Sequence, residues 1–325
     1  MLIVSPRFPS ILYDFSVCVR CLIALLWATA LTGEPLRPLA KNVPVSARDT
    51  FDATALEESL HITGAVMRAG CGRACSGAAV AQWAFSRLLE TGEAKWAELL
   101  ERARLNSVPR GHLPIAYAEG EGGALYVHLY EDGAVEWRGG RLIQRTRYPY
   151  QGSVEIELAL AGAAEFTVHL RIPAWTGKAE VTVMGEAVAA RPGEYATVRR
   201  TWQPGDRVKL DFELVPRLIA AHPRLRSYAG RAAVMLGPLV YALQTPANVD
   251  PADLALASFN PFRPRQRRDG VTVLDHLGSM AVRPSRGQPL YQPLVKRATR
   301  RADLTLVPYV LSGESDPDVV WIPYE

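Results

Sequence analysis

Cysteine is scarce in this chain of 325 residues, and its four copies (Cys18, Cys21, Cys71 and Cys75) all lie in the first quarter. A disulfide framework running through the molecule is excluded, because no thiol follows Cys75. The six histidines (His61, His112, His128, His169, His222 and His276) are scattered and never fall at H-x-x-x-H or a comparable ligand spacing. There is no G-x-S-x-G nucleophile elbow, no P-loop and no G-x-G-x-x-G after a strand. The usual signals of an α/β-hydrolase, a P-loop nucleotidase or a dinucleotide-binding domain are therefore missing. The Gly120–Gly123 run reads as a turn before a strand, with Glu119 and Glu121 as its polar flank. No segment offers the ~20 consecutive apolar residues that a membrane span needs.

Charge of one sign is not in excess either, the net value being +4. The densest basic cluster, Arg263-Pro264-Arg265-Gln266-Arg267-Arg268, has no interleaved aromatics and reads as a solvated loop, not a nucleic-acid surface.

What is present is enough apolar material for real cores, 48% of residues, in a chain long enough for two or three domains. Cys21–Leu31 is an apolar run of eleven residues preceded by Arg7 and Arg20 and containing Ala28-Thr29-Ala30, the parts of a secretory signal. The long apolar stretch before it also fits a buried N-terminus, so secreted and cytoplasmic locations both stay open. Cys18 and Cys21 read as small buried hydrophobes.

Residues 33–53 are Pro-rich, and Thr54-Ala55-Leu56-Glu57 has capping-box spacing for a short helix. From Ser76 to Asn106 apolar residues recur at three- and four-residue intervals. This predicts a helical hairpin with Gly92 as the C-cap of its first helix and Glu98 with Arg102 as an i,i+4 pair.

From Ala124 onward the period changes to two. Leu125, Val127 and Leu129, then Val154 to Leu160, Phe166 to Ile172 and Val208 to Leu214 each alternate apolar with polar. His128 and His169 fall by that period on polar faces, as solvated histidines. Ala232–Leu243 is continuously apolar, like a central strand covered on both faces. The expected fold is mostly β with a short α-helical N-terminal part. Its divisions are a signal-like segment (1–32), a helical part (33–110), a β-sandwich (111–245), and a linker with a small β domain (246–325).

Several phrases in this pattern carry a resemblance. LRIPAW at Leu170–Trp175, RTWQPGD at Arg200–Asp206 and GPLVY at Gly237–Tyr241 stand in the order seen in the β-L-arabinofuranosidase-like enzymes, glycoside hydrolase family 127. TGEAKWAELLERARLNSV at Thr91–Val108 and the closing strands at Leu306–Tyr309 and Val320–Pro323 resemble the same family, so the likeness covers roughly residues 76–325. It implies jelly-roll-like antiparallel sandwiches following a remnant of an α/α toroid, and hydrolysis of plant-type glycans.

In that family a zinc ion is held by a Glu-Thr-Cys motif and a later pair of adjacent cysteines, one of which is the nucleophile. A glutamate in an upstream loop is the acid/base. Zinc coordination would keep the thiol as thiolate. Carried over residue by residue, only Cys75 matches a zinc-ligand position. Arg73 and Ala74 stand where the glutamate and threonine are expected, and no Cys-Cys follows. His61-Ile62-Thr63-Gly64 resembles the end of the helix before the acid/base loop, but runs almost at once into Cys71, which could stand in as a ligand. The resemblance thus implies zinc in the family but not in this chain, catalytic positions that cannot be assigned, and a fragment or degenerate member with impaired activity. A truncated toroid would also expose Trp83 and Trp96. The other reading is a non-catalytic sandwich that binds carbohydrate, with Trp137, Trp175 and Trp202 as stacking candidates.

Overall fold

The computed structural model describes residues 35–39, 60–65, 73–107, 116–245, 249–282, 298–313 and 320–325. The expected helix at 54 and the cysteines at 18, 21 and 71 lie outside them, as does the signal-like segment. No described helix is long and apolar enough to cross a membrane.

Two helices form the predicted hairpin, α1 (Arg73–Thr91) and α2 (Ala94–Ser107). Gly92 ends the first: it takes φ +66° and its N–H bonds to the Leu88 carbonyl at 2.8 Å, the αL cap that glycine adopts without a Cβ penalty. The facing stripes of the helices bury Val80, Ala84, Leu88, Trp96, Leu100 and Ala103. Trp83 and Trp96 are buried too, packed edge to face at 5.1 Å, with Lys95 over the Trp96 ring at 4.9 Å. The expectation that these indoles would be exposed is therefore wrong, because each covers the other.

Two sheets build the sandwich. The first runs β1 (Arg37–Pro38), β2 (Tyr117–Glu119), β3 (Leu125–Val127), β7 (Ala164–Arg171) and β10 (Tyr195–Trp202). The second runs β4 (Gly133–Trp137), β5 (Gly140–Thr146), β6 (Ser153–Ala159), β11 (Asp206–Phe212), β8 (Ala179–Val183) and β9 (Glu186–Val188). Pairing is antiparallel except between β3 and β7. The period-2 reading holds: β11 alternates strictly, with Val208, Leu210 and Phe212 buried. The two best-alternating runs lie in different sheets. β7 pairs with β10, while β11 lies in the opposite sheet, and the TWQPGD turn carries the chain from one sheet to the other. Asp206 fixes that turn by accepting the Gln203 N–H at 3.0 Å.

A third sheet takes up β12 (Pro216–Ala220), β13 (Arg231–Leu236), β14 (Leu239–Leu243), β18 (Thr299–Pro308), β17 (Thr272–Ala281) and β15 (Leu254–Ala255), with β16 (Arg263–Gln266) and β19 (Ile322–Pro323) beside them. The division expected at 245/246 falls inside this sheet, since β14 pairs with β18. The run 232–243 is two strands of a tight hairpin, not one strand. Gly237 turns it with φ +56°, and a Cβ there would meet Leu214 Cδ2 at 2.8 Å. Burial on both faces does hold, with Val234, Leu236 and Tyr241 facing one core and Ala233, Met235 and Val240 the other. The basic cluster at 263–268 begins as the exposed strand β16, whose Arg265 pairs with Asp275 at 2.6 Å.

Asn106 locks helix to sheet. Its side-chain amide donates to the Arg102 and Pro238 carbonyls at 2.8 and 2.9 Å, and its oxygen accepts the Val240 N–H at 2.8 Å. Asn106→Leu strands two buried backbone groups of the hairpin. The expected cost is about 2–4 kcal/mol, read as a lowered midpoint in urea unfolding.

Candidate functional site

The chemistry-bearing side chains concentrate where α2 meets the outer face of β7. Along β7, Phe166, Val168 and Leu170 turn into the sandwich, so His169 and Arg171 turn outward. Arg171 is nevertheless fully buried, because α2 lies over it. Its guanidinium donates to Glu101 at 2.5 Å and to Glu98 at 3.3 Å, while its Nε donates to the His128 carbonyl at 2.5 Å. Tyr148 donates to Glu101 at 2.8 Å, and Tyr130 to the Arg171 carbonyl. Glu98 also accepts the Ala174 N–H at 3.1 Å, tying the end of LRIPAW to the helix. Glu98 therefore reaches across to β7, and Arg102 feels it only through space. That corrects the expected intrahelical pair.

Burial pushes the Glu101 carboxyl up, and Arg171 beside it pulls the other way. Burial also works against the charge on Arg171, but Glu101, Tyr148 and Glu98 outweigh it and hold the guanidinium protonated. The result is an ion cluster with its charge compensated inside the protein.

His128 is not a solvated histidine. It has no exposed surface, and its Nδ1 lies 2.6 Å from the Tyr195 hydroxyl. The outward face of β3 is covered there, so the alternation that placed it on a polar face did not place it in water. Burial, helped by the charge of Arg171 and by His169, lowers its pKa to about 3. His169 is half-buried and stacks on Tyr126 at 4.2 Å.

Two of the tryptophans, Trp137 and Trp202, are core residues and not sugar platforms. Trp202 is fully buried and donates to the Phe166 carbonyl at 3.1 Å, and Trp137 packs edge to face on Phe166 at 4.7 Å. Trp175 lies over Tyr148 at 6.3 Å, beside Phe212.

A second meeting point lies at the far end of the hairpin. The Ser107 hydroxyl donates to the Thr63 carbonyl at 2.8 Å, and a Cβ on Gly64 would meet the Ala103 nitrogen at 2.7 Å. A Cβ on Gly77 would strike Ser107. His61, buried, holds this corner to the third sheet through Trp321, whose Nε1 donates to His61 Nε2 at 3.2 Å, and stays close to Thr63 at 3.0 Å. Three stretches thus converge at this corner, 61–64, the beginning of α1 and Ser107, the ones the resemblance leads one to expect beside catalytic motifs. Cys75 sits in the first turn of α1, two residues after Arg73. Among the described residues no three His, Cys, Asp or Glu side chains group closely enough to hold a metal.

The sequence pattern assigned Glu98 to Arg102 and singled out none of Arg171, Glu101 and Tyr148. The signal was there: Glu101 lies among Ala97, Leu100 and Ala103 on the buried stripe of α2, where an unpaired carboxylate would be costly.

Two family models match the chain. Residues 124–214 match the β-L-arabinofuranosidase, glycoside hydrolase family 127 middle domain, and residues 216–323 the family's C-terminal domain. A non-reducing end β-L-arabinofuranosidase from Bifidobacterium longum subsp. longum is 34% identical over 146 residues, 42% of this chain and 22% of that enzyme. Among solved structures, a family 127 β-L-arabinofuranosidase from Geobacillus stearothermophilus T6 superposes with a TM-score of 0.70 at 24% identity, covering 82% of this chain and 55% of that one. A structure described as a glycoside hydrolase gives 0.69 at 23%, covering 82% and 59%. The chain thus spans little more than half the length of these structures, and the structural likeness is one of fold.

Proposed function

This chain belongs to glycoside hydrolase family 127 through its middle and C-terminal domains, and from that premise we propose that it is a β-L-arabinofuranosidase-type hydrolase for plant-type glycans, a fragment or degenerate form in which hydrolysis is impaired. In this reading α1 and α2 are a remnant of the catalytic toroid, and the two β domains are the frame that carried it. The observation behind the proposal is the convergence of 61–64, α1 and Ser107 at one corner. A catalytic centre assembled from loops at that corner would have Arg73 in place of a carboxylate ligand and no cysteine pair after Cys75.

Zinc supplies thiolate stabilisation when bound in the family, and this chain is proposed not to bind it. What its own residues do is structural: Ser107 and His61 hold the corner closed, and Arg171 holds α2 on the sandwich. Metal analysis of the purified full chain is expected to give substoichiometric zinc, unchanged in Cys75→Ser. One zinc per chain that disappears in Cys75→Ser would contradict the proposal.

A further inference from the structure

A small cavity lies away from both places described above, between the start of β2 and the start of β4. Its volume is about 150 Å³, and it is lined by Leu39, Ala116, Tyr117 and residues 131–135. The walls are apolar on the Leu39, Ala116 and Val135 side. The polar side has unused hydrogen-bonding capacity. Tyr117 is 8% exposed, yet its hydroxyl has no hydrogen-bond partner among the described residues. Burial, and then the neighbouring Glu131 charge, raise its pKa, so it stays a neutral O–H able to donate. Glu131 is fixed by Arg104 of α2 through one oxygen, and its backbone carbonyl by Gln144 at 2.7 Å. Asp132 accepts the Thr146 N–H at 3.2 Å through Oδ1. Glu131 Oε1 and Asp132 Oδ2 are left with no such bond among the described residues.

A largely buried phenol without a partner, carboxylate oxygens with spare capacity on Glu131 and the exposed Asp132, and an apolar wall suit a ligand with an apolar face and several hydroxyls. A cavity of this size takes a ring of roughly six to ten heavy atoms. Arg104 offsets one carboxylate, so the site does not call for a cation.

We propose that this cavity between β2 and β4 binds a single neutral, pentose-sized sugar unit, a non-catalytic glycan subsite in which Tyr117 and Asp132 bond hydroxyls while Val135 and Leu39 cover a ring face. The choice of a sugar rests on the glycan reading above, whereas the cavity and its unpartnered groups do not.

The test is saturation-transfer NMR and calorimetry on the full chain with L-arabinose, with glycerol as the control. The expected dissociation constant is on the order of 1–10 mM. Tyr117→Phe should weaken binding about tenfold, and Ala134→Trp, which fills the cavity from an exposed position, should abolish it. Thermal melts confirm that both variants are folded. No response to arabinose at about 50 mM, binding unchanged in Ala134→Trp, or an equal response to glycerol would each overturn the proposal. Arabinose binding without any glycoside turnover supports the subsite and counts only against hydrolysis, so the two readings fail separately.

Discussion

Replacing Arg171 with methionine is expected to lower stability by about 3–5 kcal/mol, the cost of leaving a buried carboxylate without its partner. The loss should appear as a midpoint drop of roughly 10 °C. Methionine keeps most of the stem's volume, so the effect isolates charge and hydrogen bonding. The guanidinium makes two of the contacts that join α2 to the sandwich, to Glu101 and Glu98, and a third within the sandwich, to the His128 carbonyl. Glu101 already has one oxygen buried without a hydrogen bond, so it has no spare partner to fall back on. The double variant Arg171→Met/Glu101→Gln should recover a substantial part of the loss, because the stranded charge is gone. If the two single losses simply add in the double variant, the two side chains are not the coupled pair described here.

A second large effect is expected on acidification. His128 is buried and its pKa is lowered from 6.5 to about 3. A base whose folded pKa is depressed gives stability above its unfolded value, and that stability is lost as pH falls toward the folded value. The sensitive window is therefore about pH 6.5 down to about 3, and the full linkage is up to about 5 kcal/mol. His169, also lowered by burial, acts in the same direction. Glu101 acts in the opposite one: its raised pKa favours the folded state at low pH, an advantage lost as pH rises through its folded value. A His128→Asn comparison separates these, because only the His128 contribution disappears. Urea unfolding across the window should show a flatter pH dependence for His128→Asn than for the parent chain. Equal slopes would mean that His128 titrates in solvent. Since Arg171 is one cause of the depression, Arg171→Met should also flatten the His128 part of the pH dependence.

These effects explain phrases that in the sequence were only strings. LRIPAW supplies Arg171 and the Ala174 N–H that Glu98 accepts. The helix phrase supplies Glu98, Glu101 and Asn106, and GPLVY supplies the groups that Asn106 binds. The strands were legible because period 2 follows from burying one face, as in β7 and β11. Gly92 was legible because a helix end favours an αL residue there. Sheet membership was not: alternation fixes which side of a strand is buried, not which strand it pairs with, so nothing in the pattern assigned β7 and β11 to opposite sheets. For the same reason His128 was misplaced, since its outward face is covered by other parts of the fold. The candidate corner was legible only in outline. Cys75 and the segment at 61–64 could be matched by likeness, but their meeting with Ser107 depends on how the helices pack. Glu101, a carboxylate on a buried helical stripe, was the one overlooked mark of the ion cluster.

The central claim is that the family frame is intact while the hydrolytic machinery is not. Initial-rate hydrolysis of a chromogenic β-L-arabinofuranoside by the full chain and by Cys75→Ser tests it most directly. The expected result is turnover at least about a thousandfold below a typical ~10 s⁻¹, identical in the two proteins. Turnover near that typical rate, abolished by Cys75→Ser, would contradict the claim.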